Sequence, residues 1–187
     1  MSQVYNKKNL VKFSELYQTV IKDLLVKNFD YKNSHEIPRI QKIVLNMGVG
    51  KASLDSKILT NAFEDLKMIS GQSPVITKAK KSLANFKLRE GMNIGCKVTL
   101  RKNKMYEFLE RLVFIALSRI KEFKGFGSKN FDGKGNFNFG IKEHIVFPEI
   151  TYDKIDNIRG LDINIVTTAK TNDEAKFLLN NFYLPFN

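Results

Sequence analysis

The sequence predicts an α+β protein, a mainly antiparallel sheet with helices packed on one face and the other face left open. Apolar residues recur at helical spacing in four stretches, other stretches alternate with the period of a strand, and turn residues keep the two patterns apart. The order that results is helix, strand, helix, strand, strand, helix, strands, helix. Alternation sets Lys42, Asn46, Lys97, Thr99 and Arg101 together on the face that the helices leave uncovered. A chain of 187 residues with 43% apolar side chains fits one domain, 1–187, with residues 1–33 as an N-terminal helix and linker.

Phe13, Leu16, Tyr17, Val20, Ile21, Leu24 and Leu25 recur at helical spacing and form a first amphipathic helix that fades between Asn28 and Asn33. After Pro38 the chain extends, with Lys42, Val44 and Asn46 alternating against Ile43, Leu45 and Met47. Asn46, near the strand end, is a candidate for contact with a base or sugar. Gly48-Val49-Gly50-Lys51-Ala52-Ser53 has the glycines and lysine of a phosphate loop. Leu45, however, stands where the first glycine belongs, and Ala52 replaces the hydroxyl that would hold magnesium, so a tight turn is expected. A second helix then buries Ile58, Leu59, Ala62, Phe63, Leu66 and Ile69 and ends at Gly71 as its cap.

The short strand Val75-Ile76-Thr77 leads into the most basic part of the chain. Between Lys78 and Lys104 there are nine Lys or Arg side chains and one acid, Glu90, so this segment holds +8 of the net +12. Residues 79–91 follow neither strand nor helix period, and a loop of that length is uncommon in a compact domain unless it serves a function. They are expected to form a projecting basic loop carrying Lys80, Lys81, Lys87 and Arg89, with Lys78 at its base. From Ile94 the alternation returns, with Ile94, Cys96, Val98 and Leu100 facing one way and Gly95, Lys97, Thr99 and Arg101 the other. A third helix opens with Asn103 as N-cap and buries Met105, Leu109, Leu112, Val113, Ala116 and Ile120.

Lys121 to Lys142 contains five Lys, five Gly and five Phe. Strand alternation assigns Phe137 and Phe139 to the core and leaves the Lys and Asn residues of this stretch, Lys129, Asn130 and Lys134 among them, for contacts with a partner. From Glu143 to Asn187 seven acids face four bases, so the molecule is expected to have a basic side and a neutral or acidic side. Leu161, Ile163, Ile165 and Thr167 define a last strand, alternating with Asp162, Asn164, Val166 and Thr168. Thr171 and Glu174 form a capping box for a final helix through Leu178, Leu179 and Phe182.

The charge balance points to nucleic acid as partner. No apolar run approaches the ~20 residues that span a membrane, so no membrane partner is expected. Met1 to Lys8 lacks the apolar core of a signal peptide, which leaves the compartment of synthesis or entry into an organelle by another route. Cys96 is the single cysteine, on the apolar side of its strand, and reads as a buried structural thiol. His35 and His144, the two histidines, form no catalytic spacing with it. No catalytic residue, metal ligand or cofactor is expected.

Several blocks resemble, in order, the bacterial-type large-subunit ribosomal protein five family. They are Ile43-Val44-Leu45-Asn46-Met47-Gly48-Val49-Gly50, Ile69-Ser70-Gly71-Gln72, Thr77-Lys78-Ala79-Lys80-Lys81-Ser82, Gly95 to Arg101, Ser128 to Asn136, and Phe147-Pro148-Glu149-Ile150 through Arg159-Gly160-Leu161-Asp162-Ile163. The resemblance covers nearly everything from Ile37 to Phe186. It implies a structural constituent of the large subunit, not an enzyme, that lays its open sheet face on 5S rRNA in the central protuberance. Asn46, Gln72 and Thr99, with Lys97 and Arg101, would carry that contact, joined by Lys42 on the same face and by Lys129, Asn130 and Lys134.

The same resemblance implies that Lys78, Lys80, Lys81, Lys87 and Arg89 reach peptidyl-site tRNA. It adds large-subunit rRNA, other 5S-associated ribosomal proteins and a small-subunit head protein as partners, in a ribosome of the bacterial cytoplasm or mitochondrial matrix. Ser73 stands where the family commonly has a basic residue, Ser118 where proline is usual, and Asn130 where serine is usual. Two rival readings are a free RNA-binding regulator, which would not sediment with ribosomes, and an RNA-directed nucleotide-dependent enzyme, which would require nucleotide turnover.

Overall fold

The computed structural model describes residues 12–187 apart from Leu54, Glu122, Asp153 and Lys154. The stretch Met1 to Lys8 weighed above and the side chain of Lys51 lie outside the described residues. Helix α1 runs Phe13–Leu16, passes through a π-helical turn at Tyr17–Ile21 and continues as Lys22–Asn28. Phe13, Ile21 and Leu25 are buried, but Val20, expected on the apolar face, is 45% exposed. A π turn takes an extra residue per turn and so shifts the phase of the apolar stripe.

Strand β1 is Ile40–Gly48, β2 Val75–Lys78, β3 Asn93–Leu100, β4 Phe137–Ile141 and β5 Leu161–Thr167. They form one sheet in the order β2-β3-β1-β5-β4, with every neighbouring pair antiparallel. The pleat sorts the residues as alternation requires. Ile43, Leu45 and Met47 of β1, Cys96, Val98 and Leu100 of β3, and Ile163 and Ile165 of β5 are buried together. A register shift between Ile40 and Lys42 lets Ile40 join that core although its parity would put it on the other face.

Helix α2, Ser56–Ser70, is capped by Asp55, whose Oδ1 accepts from Lys57 N–H at 2.8 Å, and ends at Gly71 in the left-handed region with φ 62°. Its Leu59, Ala62, Leu66 and Ile69 pack on the sheet. Helix α3 runs Lys102–Arg111, then a π-helical stretch Leu112–Ala116, then Leu117–Arg119. Two expectations change here. The N-cap is Arg101, not Asn103, because the chain turns early, with Lys102 at φ 52°. Phe108 is buried at ordinary helical spacing from Met105 and Leu112, whereas from the π stretch onward Leu117 is buried and Val113 and Ile120 are only half-buried, the inward face having shifted.

Helix α4, Asn172–Asn181, has Thr171 as its cap, with Oγ1 accepting from Glu174 N–H at 3.3 Å. In return, Lys170 N–H donates to Glu174 Oε2 at 2.9 Å, one residue before the expected partner. Phe182, just past α4, lies against Phe13 and Tyr106, which closes the helical layer over one side of the sheet. The phenylalanines of the glycine-rich stretch meet one another. Phe126 lies 5.1 Å from Phe137 and 4.6 Å from Phe139, and Phe126 also pairs with Phe186 near the C-terminus. Phe137 is fully buried and Phe139 half-buried.

A polar cluster sits under this layer. Arg159 Nη1 donates to Asp65 Oδ2 at 2.8 Å and Nη2 donates to Asp156 at 2.6 Å, and Arg159 N–H donates to His144 Nδ1 at 3.1 Å. His144 Nε2 lies 3.4 Å from Asp65 Oδ2, longer than a good hydrogen bond. These bonds anchor the stretch between β4 and β5 to α2.

Candidate nucleic-acid interface

The sheet face opposite the helices carries no covering element among the described residues. Register builds it row by row. Val75, Lys97, Asn46, Asp162 and Gly140 stand abreast from β2 to β4, and Thr99, Val44, Asn164 and Asn138 form the next row. Lys42 follows opposite Val166. The structure therefore brings Lys42, Asn46, Lys97 and Thr99 onto one surface; Lys97 is exposed and the other three are half-exposed.

Gln72 joins them from the loop after α2. Its Nε2 donates to Thr99 O at 3.4 Å, while its backbone is held by Ser70, whose Oγ donates to Gln72 O at 2.9 Å. Arg101, exposed, sits just past the end of β3. Asn130 lies in the short 3-10 turn Ser128–Asn130 and donates from Nδ2 to Asn138 O at 3.0 Å, so its amide fastens that turn to β4. Lys129 and Lys134 are exposed on the same glycine-rich stretch, away from the central rows. Asp132 organises the turn that carries Lys134. It accepts from Asn136 Nδ2 at 2.7 Å and from Lys134 N–H at 2.8 Å, bonds that hold its carboxyl below the usual carboxylate range.

The basic segment 79–91 is hydrogen-bonded, where the sequence suggests an unpatterned loop. Ala79 N–H donates to Met92 O and Gly91 N–H to Ala79 O, extending the β2–β3 hairpin. Leu83 and Leu88 form a bridge, and Ala84–Phe86 make a 3-10 turn closed by Lys87 at φ 52°. Apolar residues that could pack elsewhere stand outward here, Phe86 at 72% exposure. Lys78, Lys80, Lys81, Lys87 and Arg89 are all exposed on this hairpin.

The remaining candidates for chemistry are occupied by structure. Cys96 is buried, its Sγ 3.7 Å from Ala62 O, and burial pushes its thiol up to about 11, away from the thiolate form. After β1, Val49 N–H donates to Ile94 O at 2.8 Å and Gly50–Ser53 form a 3-10 turn. The helix N-terminus beyond that turn already holds the Asp55 carboxylate, where a phosphate would be repelled. No helix among the described residues is long and apolar enough to cross a membrane.

Sequence reasoning sees the alternation of Asp162 and Asn164 in β5 but gives them no part in the face. It places Asn138 with the contact residues of the glycine-rich stretch, and only register shows it to be Asn164's direct neighbour.

An uncovered antiparallel face set with amides, a hydroxyl and lysines, beside a cationic hairpin, is the form of an RNA-binding protein. Residues 93–186 match the family model for the C-terminus of the ribosomal L5 family, and residues 33–89 match that of Ribosomal protein L5. These matches make the chain a ribosomal protein, a structural constituent of the large subunit and a part of the translation machinery. It belongs to the ribosomal protein L5 family.

Proposed function

We propose that the chain binds 5S rRNA in the central protuberance through its uncovered sheet face and touches peptidyl-site tRNA with the 79–91 hairpin, making no covalent bond in either role. The observation that carries the reading is the shared open face of Lys42, Asn46, Lys97 and Thr99, with Gln72 tied to Thr99, in a chain of this family. Cations displace counterions from phosphates and supply affinity, while fixed amide and hydroxyl groups set register on sugars and base edges. Arg101, Lys129, Asn130 and Lys134 extend the rRNA surface at its margins. Lys78, Lys80, Lys81, Lys87 and Arg89 form the tRNA surface, and other 5S-associated proteins and a small-subunit head protein contact further faces.

Filter binding tests both halves of the reading. Asn46→Ala with Thr99→Ala should weaken 5S rRNA binding while circular dichroism stays native; unchanged affinity in the folded double variant removes the sheet face from the argument. Alanine at Lys80, Lys81 and Lys87 should weaken retention of peptidyl-site tRNA on ribosomes and spare 5S binding, and the reverse pattern refutes the tRNA assignment. Sedimentation of the tagged chain with large subunits, in extracts of bacterial cytoplasm or of mitochondrial matrix, separates this reading from that of a free RNA-binding regulator.

A further inference from the structure

Asp162 contradicts the charge of the face it stands on. It occupies the open-face position of β5 between Asn46 of β1 and Gly140 of β4, and it is exposed. Among the described residues it forms no ion pair, and its carboxylate accepts from Asn46 Nδ2 at 3.3 Å. A carboxylate set among groups that meet phosphates is repelled by them, unless the RNA turns hydrogen-bond donors toward it.

The neighbours of Asp162 decide which donors fit. The Asn46 amide gives one hydrogen to the carboxylate and keeps its second, so the pair presents a donor followed by two acceptor oxygens side by side. Gly140 leaves the other flank clear; even a methyl group there would lie 3.4 Å from Oδ1. The Watson–Crick edge of guanine is the complement, with O6 accepting and N1–H and the N2 amino group donating. Adenine and cytosine place one donor next to an acceptor, and uracil places one donor between two acceptors. None of these three bases offers two adjacent donors.

We propose that Asn46 and Asp162 together read the Watson–Crick edge of a guanine that the bound RNA holds out of base pairing. Such unpaired bases are where proteins read RNA sequence. The site rests on the sheet-face reading above and adds base identity to it. Asp162 is not one ligand of a larger metal site, since no group of three or more His, Cys, Asp or Glu able to hold a metal ion occurs among the described residues.

Inosine interference tests the site. Inosine keeps O6 and N1–H and lacks the N2 amino group. 5S rRNA transcribed with sparse phosphorothioate inosine is partitioned on filters, and iodine cleavage maps the positions at which the substitution prevents binding. With the native chain at least one guanine position should interfere; with Asp162→Asn that interference should vanish, and affinity for unmodified 5S rRNA should fall about tenfold or more. Identical interference maps for the two proteins overturn the proposal. So does an Asp162→Asn variant that binds as tightly as the native chain or more tightly, the behaviour of a carboxylate that only repels phosphate. Asp162→Ser replaces it if the Asn variant does not fold. Lys97→Ala with Thr99→Ala separates the two readings. No loss of affinity there removes the sheet face itself, whereas a loss there with none at residue 162 removes only the guanine site.

Discussion

Lys97 and Thr99 lie two residues apart on the same open face, yet they should respond to salt in different ways. An exposed ammonium that neutralises a phosphate contributes through counterion release, so Lys97→Ala should reduce the slope of log affinity against log salt by about 1. Thr99→Ala should lower affinity by a constant factor at every salt concentration, because a hydroxyl releases no counterion. A titration series from low to high salt reads both slopes. Beside Arg159, partial burial pushes the Asp156 carboxyl up, but hydrogen bonds from Arg159 and Asn61 and the Arg159 charge outweigh that and leave it below the usual value. A depressed acid stabilises the fold above the pKa of the unfolded chain, about 3.9, and that contribution is lost as pH falls through the lower folded value. Melting curves should therefore show the native chain well above Asp156→Asn near pH 6, with the gap closing below about pH 4.

At the scale of the element, the strands are the most readable parts and the helices the least. From Lys42 in β1, from Cys96 in β3 and throughout β5, inward and outward residues fall as the period dictates, because one buried face punishes any slip in register. The two π-helical turns carry no such period, so helical spacing puts Val20 inward and misses Leu117. The 79–91 hairpin is held by backbone bonds that side-chain pattern cannot announce. The Asn46–Asp162 pair joins residues 116 apart in sequence, and the Arg159–Asp65 pair residues 94 apart; only the sheet order and the α2 packing bring them together. The capping signal before α4 is legible, and it predicts its own cost. Thr171→Ala removes the acceptor for Glu174 N–H and should destabilise the protein by about 1 kcal/mol in urea unfolding, with the m-value unchanged.

For the molecule as a whole, the stretch after α4 fastens two separate parts of the fold. Phe13 packs against Phe182, while Phe126 N–H donates to Pro185 O and Asn187 N–H to Phe126 O. A chain ending before Phe186 would uncover one side of the Phe126, Phe131 and Phe137 cluster and should melt several degrees lower, by about 1–3 kcal/mol of lost packing. Scanning calorimetry of the shortened chain measures it. The family resemblance makes the class of protein legible from the sequence, while composition alone indicates a polyanionic partner and nothing finer.

The sheet order also governs how a newborn chain can fold. β1 lies between β3, which is synthesised soon after it, and β5, which begins sixty residues after β3 has ended. While the middle of the chain is being translated, one edge of the central strand has no partner. Bare strand edges invite neighbouring polypeptides to pair with them. Completion of the sheet thus waits on translation of β5, and a nascent chain stalled before residue 161 would remain sticky however long it waited.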